Sequence, residues 1–254
     1  MQEFTGQTAL VTGTTGIGRA TALLLAARGA HVVAAGIDPA ANAALAQSGP
    51  VQVIEADIAT AEGAAAAVQA AAASGPLRVI VNAAAIHPFG DVVQTSPAEW
   101  ARCLAVNLGG IYHTAHAGIP LMRQAGGGCI VNLASVQGHA CQHGVAAYAA
   151  SKGAVLALTR AMALDHAADG IRVVSVSPGS VRTPMLAVSA AHFVGEGSDM
   201  EAIFRSFGQA HPLGRIGEPE EVAELIAFLA GPRAGFISGS DHRIDGALTA
   251  GIAV

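Results

Sequence analysis

The chain has 254 residues, of which 52 % are hydrophobic and only 12 % charged, with a formal net charge of −5. A chain this poor in charge is not disordered and has no basic run to serve as a footprint for nucleic acid. It is either a fully covered α/β core or an oligomer with broad subunit contacts.

The mean hydropathy of +0.48 raises the question of a membrane. Gly, His, Asn, Gln or a charge interrupts every apolar stretch before roughly 18 residues, so no span is expected. Met1-Gln2-Glu3-Phe4 has neither the basic nor the apolar region of a secretory signal. Cys103, Cys129 and Cys141 form no CxxC pair, and an odd count without a secretion signal reads as reduced thiols in a cytoplasm.

In chain order, Thr8-Ala9-Leu10-Val11 is a first apolar strand running into glycines, and 17–27 reads as a helix ending at Gly29. His31-Val32-Val33-Ala34-Ala35 is a second strand and Val51-Gln52-Val53-Ile54 a third. Leu77-Arg78-Val79-Ile80-Val81 is a fourth, Gly128-Cys129-Ile130-Val131-Asn132-Leu133 a fifth and Ile171-Arg172-Val173-Val174-Ser175-Val176 a sixth. Phe236-Ile237-Ser238 with His242-Arg243-Ile244 gives a last strand region. The stretches 39–47, 61–73, 97–123, 145–168 and 218–230 are helix-compatible, with Pro97 and Pro219 placed as first helical residues.

Continuous apolar strands mean a sheet buried on both faces. Strand–helix alternation from end to end predicts a doubly wound, seven-stranded parallel sheet in three α/β/α layers, a Rossmann-type single domain over 1–254. The weakly periodic, Gly- and Pro-containing stretch 183–217 reads as an inserted flap over a pocket.

Two constellations carry chemistry. The first strand runs into Thr12-Gly13-Thr14-Thr15-Gly16-Ile17-Gly18. Glycines at a strand-to-helix turn let the backbone approach a phosphate, which the helix N-terminus then attracts; in a βαβ setting this predicts dinucleotide binding over an ordinary Gly-rich turn. In the second, Tyr148 and Lys152 share a helix face at i and i+4. An ammonium beside a phenol favours the phenolate, so Tyr148 is expected to exchange a proton with a carbonyl or alcohol, its pKa drawn down by Lys152. Ser135 closes the fifth strand at the end where α/β ligands bind, ready to polarise the same oxygen. Asn107 lies in the preceding helix, where the plain alternative is a tolerated polar residue.

These motifs, with Asp57-Ile58, Asn82-Ala83-Ala84-Ala85 and Ser177-Pro178-Gly179-Ser180-Val181-Arg182-Thr183, resemble the short-chain dehydrogenase/reductase family over nearly the whole chain. The resemblance implies NAD(P)-dependent oxidation of alcohols or reduction of ketones. It implies Tyr148 as acid/base, Lys152 as its partner and as the grip on the nicotinamide ribose, Ser135 as holder of the substrate oxygen, and the Asn107 backbone as a water site in a proton relay. For the cofactor it implies the turn Gly13, Thr15, Gly16, Ile17 and Gly18, Asp57 and Ile58 at the adenine, Asn82, Ala83 and Ala84 along the ribose, and Pro178, Gly179, Val181 and Thr183 on the carboxamide and phosphate side.

Two departures stand out. Only Thr14 and Thr15 separate Gly13 from Gly16, where the family has three residues, and Asn82-Ala83-Ala84-Ala85 replaces its Asn-Asn-Ala-Gly. The lost amide is expected to weaken a link between neighbouring strands, and the added methyl to narrow the space near the nicotinamide ribose.

His87, His139 and His143 follow the fourth and fifth strands; they are either solvated loop residues or, with Gln137, a polar wall favouring a hydroxylated substrate such as a sugar or polyol. No HxH or HxxxH with a carboxylate supports a metal site, so no metal is expected.

The second strand ends in Ala34-Ala35-Gly36-Ile37-Asp38. The family's acid for the adenosine ribose would fall at Gly36 and its base for a 2′-phosphate at Ile37 or in the turn; both are missing. Asp38 either reaches the ribose or caps the helix opening at Pro39. NAD is therefore expected over NADP, with Arg19 the one cation able to reverse that.

A 3-oxoacyl-(acyl carrier protein) reductase shares every motif, but the 13 Lys+Arg do not cluster to meet an acidic carrier. A non-catalytic nucleotide sensor would have no need of Asn107, Ser135, Tyr148 and Lys152 together. Ala157 and Ala161, four apart on an Ala-rich helix, allow close helix approach and predict a homotetramer.

Overall fold

The computed structural model describes residues 2–194 and 199–251. Seven parallel strands form one sheet in the order β3-β2-β1-β4-β5-β6-β7: β1 Thr8–Thr12, β2 His31–Gly36, β3 Val51–Glu55, β4 Leu77–Asn82, β5 Gly128–Leu133, β6 Ile171–Pro178 and β7 Asp241–Ile244. Every pairing is parallel, as strands joined by helical crossovers must be.

The helices are α1 Gly16–Ala27, α2 Pro39–Ser48, α3 Ala61–Ala73, α4 Pro97–Leu104, α5 Gly110–Gln124, α6 Ala146–Asp165, α7 Pro184–Val194, α8 Met200–Gln209 and α9 Pro219–Ala230. Helices α1 and α9 close one apolar layer with Val11, Val81, Val131 and Val174. Helices α3, α5 and α6 close the other with Leu10, Ile80, Ile130 and Val173. Alternate residues of the same strands thus feed opposite layers, which is why the strands read as unbroken apolar runs.

Three expectations change. The stretch 97–123 is one helical run, but a π turn at Ala105–Gly109 separates α4 from α5. The weakly periodic flap contains two helices, α7 and α8, the second started by the Asp199 carboxylate accepting from the Glu201 N–H at 3.0 Å; residues 195–198 lie outside the described residues. In the last strand region only Asp241–Ile244 pairs with β6, while Phe236 is fully exposed.

The chain crosses over between β3 and β4, so β1 and β4 are neighbours whose onward connections run to opposite faces. Ligands of open α/β sheets bind at the carboxyl ends of strands at such a switch point.

Candidate active site

One cavity of about 1000 Å³ opens there, lined from Gly13 in the first turn to Gly251 at the end of the described chain. At its floor Gly13 has φ +89°, and a Cβ on it would come within 3.1 Å of the Ala84 nitrogen. A Cβ on Gly18 would run into the Gly13 carbonyl, so the turn closes onto α1 only with glycine at both positions. Side chains of Asp38, Thr60 and Ser96 cap α2, α3 and α4, but the Thr15 side chain caps nothing at α1. The first amides of α1 are thus left open toward the cavity, the arrangement that suits a phosphate.

Thr15, Gly16, Ile17, Gly18, Asp57, Ile58, Ala83, Ala84, Pro178, Gly179, Val181 and Thr183 all line this cavity. The donor set fits a dinucleotide: an uncapped helix N-terminus in the middle, with a carboxylate and small apolar residues along the rest. The Asp57 Oδ1 accepts from the Ala59 N–H at 3.0 Å, and its Oδ2 pairs with Arg102 at 3.3 Å.

Asn82 behaves differently. It does not line the cavity; its amide donates to the Asn132 Oδ1 at 2.9 Å and its Oδ1 accepts from the Thr114 hydroxyl at 2.8 Å. It joins β4 to β5 and α5, and so supports the Ala83–Ala84 backbone from beneath. Asn82, the amide that this segment retains, thus makes a link between neighbouring strands. The Thr12 hydroxyl accepts from the N–H groups of both Ala83 and Ala84, at 3.1 and 3.2 Å.

Asp38 caps α2, its Oδ1 accepting from Ala40 and Ala41 at 2.9 and 3.1 Å, while the residue also borders the cavity. Arg19 donates to the Ser48 hydroxyl at 2.9 Å and does not line the cavity.

The chemistry-bearing groups meet deeper in. Ser135 follows β5, and its Oγ accepts from the Gln137 N–H at 3.1 Å. Tyr148 sits in the first turn of α6 and Lys152 one turn on; only 8 % and 2 % of them, respectively, is exposed. The Lys152 Nζ lies 5.5 Å from the Tyr148 ring centroid and donates to the Leu133 carbonyl at 2.6 Å.

This corrects the expected proton affinity of the phenol. Burial pushes Tyr148 up to about 12, opposed by its hydrogen bond with Ser135, with no lowering by Lys152. Burial brings the Lys152 ammonium down to about 8. Desolvation sets the direction for both groups, and the ammonium's hydrogen bond goes to the Leu133 carbonyl.

Asn107 occupies the π turn, and its side chain is a clamp. Its Oδ1 accepts from the Ile86 N–H at 2.8 Å, and its Nδ2 lies 3.0 Å from both the Ile86 carbonyl and the Ser151 hydroxyl. Ser151 in turn donates to the Tyr148 carbonyl at 2.7 Å. The clamp ties the loop after β4 to the helix that bears Tyr148. The sequence does not mark the π turn, so Asn107's partners were not foreseeable from it.

On the substrate side, His87, Gln137 and His143 line the cavity. The His87 ring lies against Phe89, which stacks on His192 of α7 at 3.9 Å. His139 does not line the cavity: its Nε2 pairs with the Asp241 Oδ2 at 2.8 Å, which corrects its placement in the pocket wall. Missed by sequence reasoning were His211 of the segment after α8, whose Nε2 accepts from the Ser180 N–H at 3.2 Å, and Leu248 and Thr249. No motif or local pattern singles them out. Among the described residues no group of three or more His, Cys, Asp or Glu is arranged to hold a metal ion, and no helix is long and apolar enough to cross a membrane.

A sequence profile described as Enoyl-(Acyl carrier protein) reductase matches residues 11–249. The chain is 37 % identical to a cyclohexanol dehydrogenase of Acinetobacter sp. (strain SE19) over 257 aligned residues, covering 97 % of this chain and 96 % of that one. It is 36 % identical to the L-tagatose-forming galactitol 2-dehydrogenase of Cereibacter sphaeroides over 255 aligned residues, 96 % and 95 % of the two chains. The ligand-free aldohexose dehydrogenase of Thermoplasma acidophilum superposes with a TM-score of 0.92 at 32 % identity, covering 99 % of this chain and 96 % of that one.

Proposed function

The chain belongs to the short-chain dehydrogenase/reductase family, and from that premise we propose that it transfers a hydride between a nicotinamide dinucleotide and the carbinol carbon of a secondary alcohol, or its ketone. The observation that carries this is the meeting of Ser135, Tyr148 and Lys152 in the cavity that also holds the open N-terminus of α1.

The bound nicotinamide supplies or accepts the hydride. The chain does the rest. Tyr148, protonated across the neutral range, gives its proton to the carbonyl oxygen in reduction and takes it back in oxidation. Ser135 holds that oxygen by a hydrogen bond, and Lys152 grips the nicotinamide ribose. The backbone of Asn107, held by the clamp on Ile86 and Ser151, carries the water of the proton path.

The substrate class is a small hydroxylated alcohol, a polyol or sugar among them. His87 and Gln137 border the cavity, and the cyclohexanol and galactitol dehydrogenases among the relatives support it. NAD is the cofactor: among the described residues no free cation faces the end of β2, since Arg19 is turned to Ser48 and Arg102 is paired with Asp57. The whole chain acts as one unit with 183–217 as its substrate flap. It works as a cytoplasmic homotetramer, for which exposed Tyr112, Ala157, Ala161 and Leu164 offer apolar, partly small-residue contact faces.

Incubation with NAD⁺ or NADP⁺ and a panel of cyclohexanol, vicinal diols and hexitols tests the activity through the absorbance of the reduced cofactor. Turnover with NAD⁺ and a secondary alcohol is expected; silence across the panel with both cofactors overturns it. Sedimentation showing only a monomer at micromolar concentration overturns the tetramer.

A further inference from the structure

The short glycine turn and the missing acid at the end of β2 meet in space. A Cβ built on Gly36 would overlap the Thr14 hydroxyl, and would stand 2.8 Å from the Thr14 Cγ2 and 2.7 Å from the Asn42 Oδ1. Both neighbours are buried. Asn42 is fixed, its Nδ2 donating to the Gly36 carbonyl at 3.0 Å, and its Oδ1 is sealed from solvent without a partner. Thr14 cannot simply turn away. Both of its γ atoms crowd the spot, so a turn about χ1 to the next staggered well still leaves one of them there.

Thr14 therefore fills the room in which an acid at position 36 would begin. It lines the cavity, and its hydroxyl has no hydrogen-bond partner among the described residues, nor is it among the atoms sealed from solvent. This is where the architecture places the group that reads the adenosine ribose.

Resting on the dinucleotide reading above, we propose that the Thr14 hydroxyl takes the place of a carboxylate at the adenosine 2′-hydroxyl, and that the shortened turn and Gly36 are a matched pair. With one residue fewer between Gly13 and Gly16, the turn lays Thr14 against the end of β2, and only glycine at 36 leaves it room. The site thereby recognises a ribose hydroxyl through a neutral group that both donates and accepts. It disfavours a 2′-phosphate by the want, among the described residues, of a free cation there.

Calorimetric titration with ADP-ribose, and with its analogue lacking the adenosine 2′-hydroxyl, tests this without turnover. Thr14→Val keeps the shape and removes the hydroxyl. It should weaken ADP-ribose binding about five- to tenfold, as loss of one hydrogen bond does, and leave the deoxy analogue unchanged; Thr14→Ser should bind both as the wild type does. Gly36→Asp, the substitution that would restore the family's acid, should weaken ADP-ribose binding, and adding Thr14→Gly should recover it. Equal losses for the two ligands in Thr14→Val, or no loss at all, would overturn the proposal alone. A wild-type chain that fails to bind ADP-ribose would remove the dinucleotide reading and the proposal with it.

Discussion

The imidazole of His87 packs against the phenol ring of Tyr148, centroids 4.2 Å apart and planes inclined at 58°. Burial holds this imidazole down to about 4, with the charges of Lys152 and His192 adding to the effect against a backbone hydrogen bond that raises it. The ring is neutral at neutral pH, and its Nδ1 is sealed away without a partner. The residue lines the cavity.

Acid should therefore act on stability through His87. The unfolded imidazole takes up a proton near 6.5, the folded one only near 4. Between those values the unfolded chain binds more protons, so stability is lost as the pH falls from 6.5 to 4. The Tm of His87→Gln should drop less than that of the wild type between pH 7 and pH 4.5. Equal drops would remove His87 from the account of acid sensitivity. The same variant should raise KM for a hexitol more than for cyclohexanol, because only the hexitol has further hydroxyls for the ring.

Tyr148→Phe should abolish turnover and leave ADP-ribose binding intact, whereas Ser135→Ala should lower kcat by roughly two orders of magnitude. Since the Tyr148 phenol lies near 12, kcat/KM for alcohol oxidation should climb as the pH rises from 7 to 10, while ketone reduction, which needs the protonated phenol, stays level over the neutral range. Near-normal turnover in Tyr148→Phe, or oxidation that falls as the pH rises, would displace Tyr148 from the proton step.

Asn107→Ala takes away the partner of both polar atoms of the Ile86 backbone as well as a hydrogen bond to Ser151. Leaving such partly buried groups unpaired, together with the loss at buried Ser151, costs about 2–3 kcal/mol. For a chain of this size that is a Tm lower by roughly 5–10 °C. A Tm within a degree of the wild type would mean that water replaces the clamp.

Asp241 joins three elements. Its Oδ1 accepts from the Ser175 and Ser177 hydroxyls at 2.7 and 2.8 Å, and its Oδ2 pairs with His139. Both serines are buried, so Asp241→Ala should destabilise by about 2–4 kcal/mol. His139→Ala, which removes only a half-exposed pair, should cost about 1 kcal/mol or less. Urea unfolding of the two variants gives the order; the reverse order would place the weight on the His139 contact instead of the buried hydroxyls.

What the sequence announced were features written in neighbouring residues. Runs such as Cys129-Ile130-Val131 are strands because each residue is buried, whichever face it takes. The glycine turn and the Tyr148–Lys152 pair were legible for the same reason. What it hid depends on distant partners. His139 looked like a pocket residue because Asp241 lies far along the chain. The π turn at Ala105–Gly109 adds one residue per turn without any change of composition. The effect of Lys152 on Tyr148 could not be foreseen from their spacing, because desolvation sets the direction for both groups. Helices α7 and α8 were obscured by the glycines between them.

The cavity draws its lining from the turn at Gly13 and, at the other extreme, from Leu248 and Thr249. A chain still emerging from a ribosome has made its phosphate cradle long before it has made the opposite wall. Whatever free energy a ligand lends to folding through that wall is thus withheld until synthesis has passed β7. A chain cut before Leu248 should therefore gain less stability from a ligand than the whole chain does.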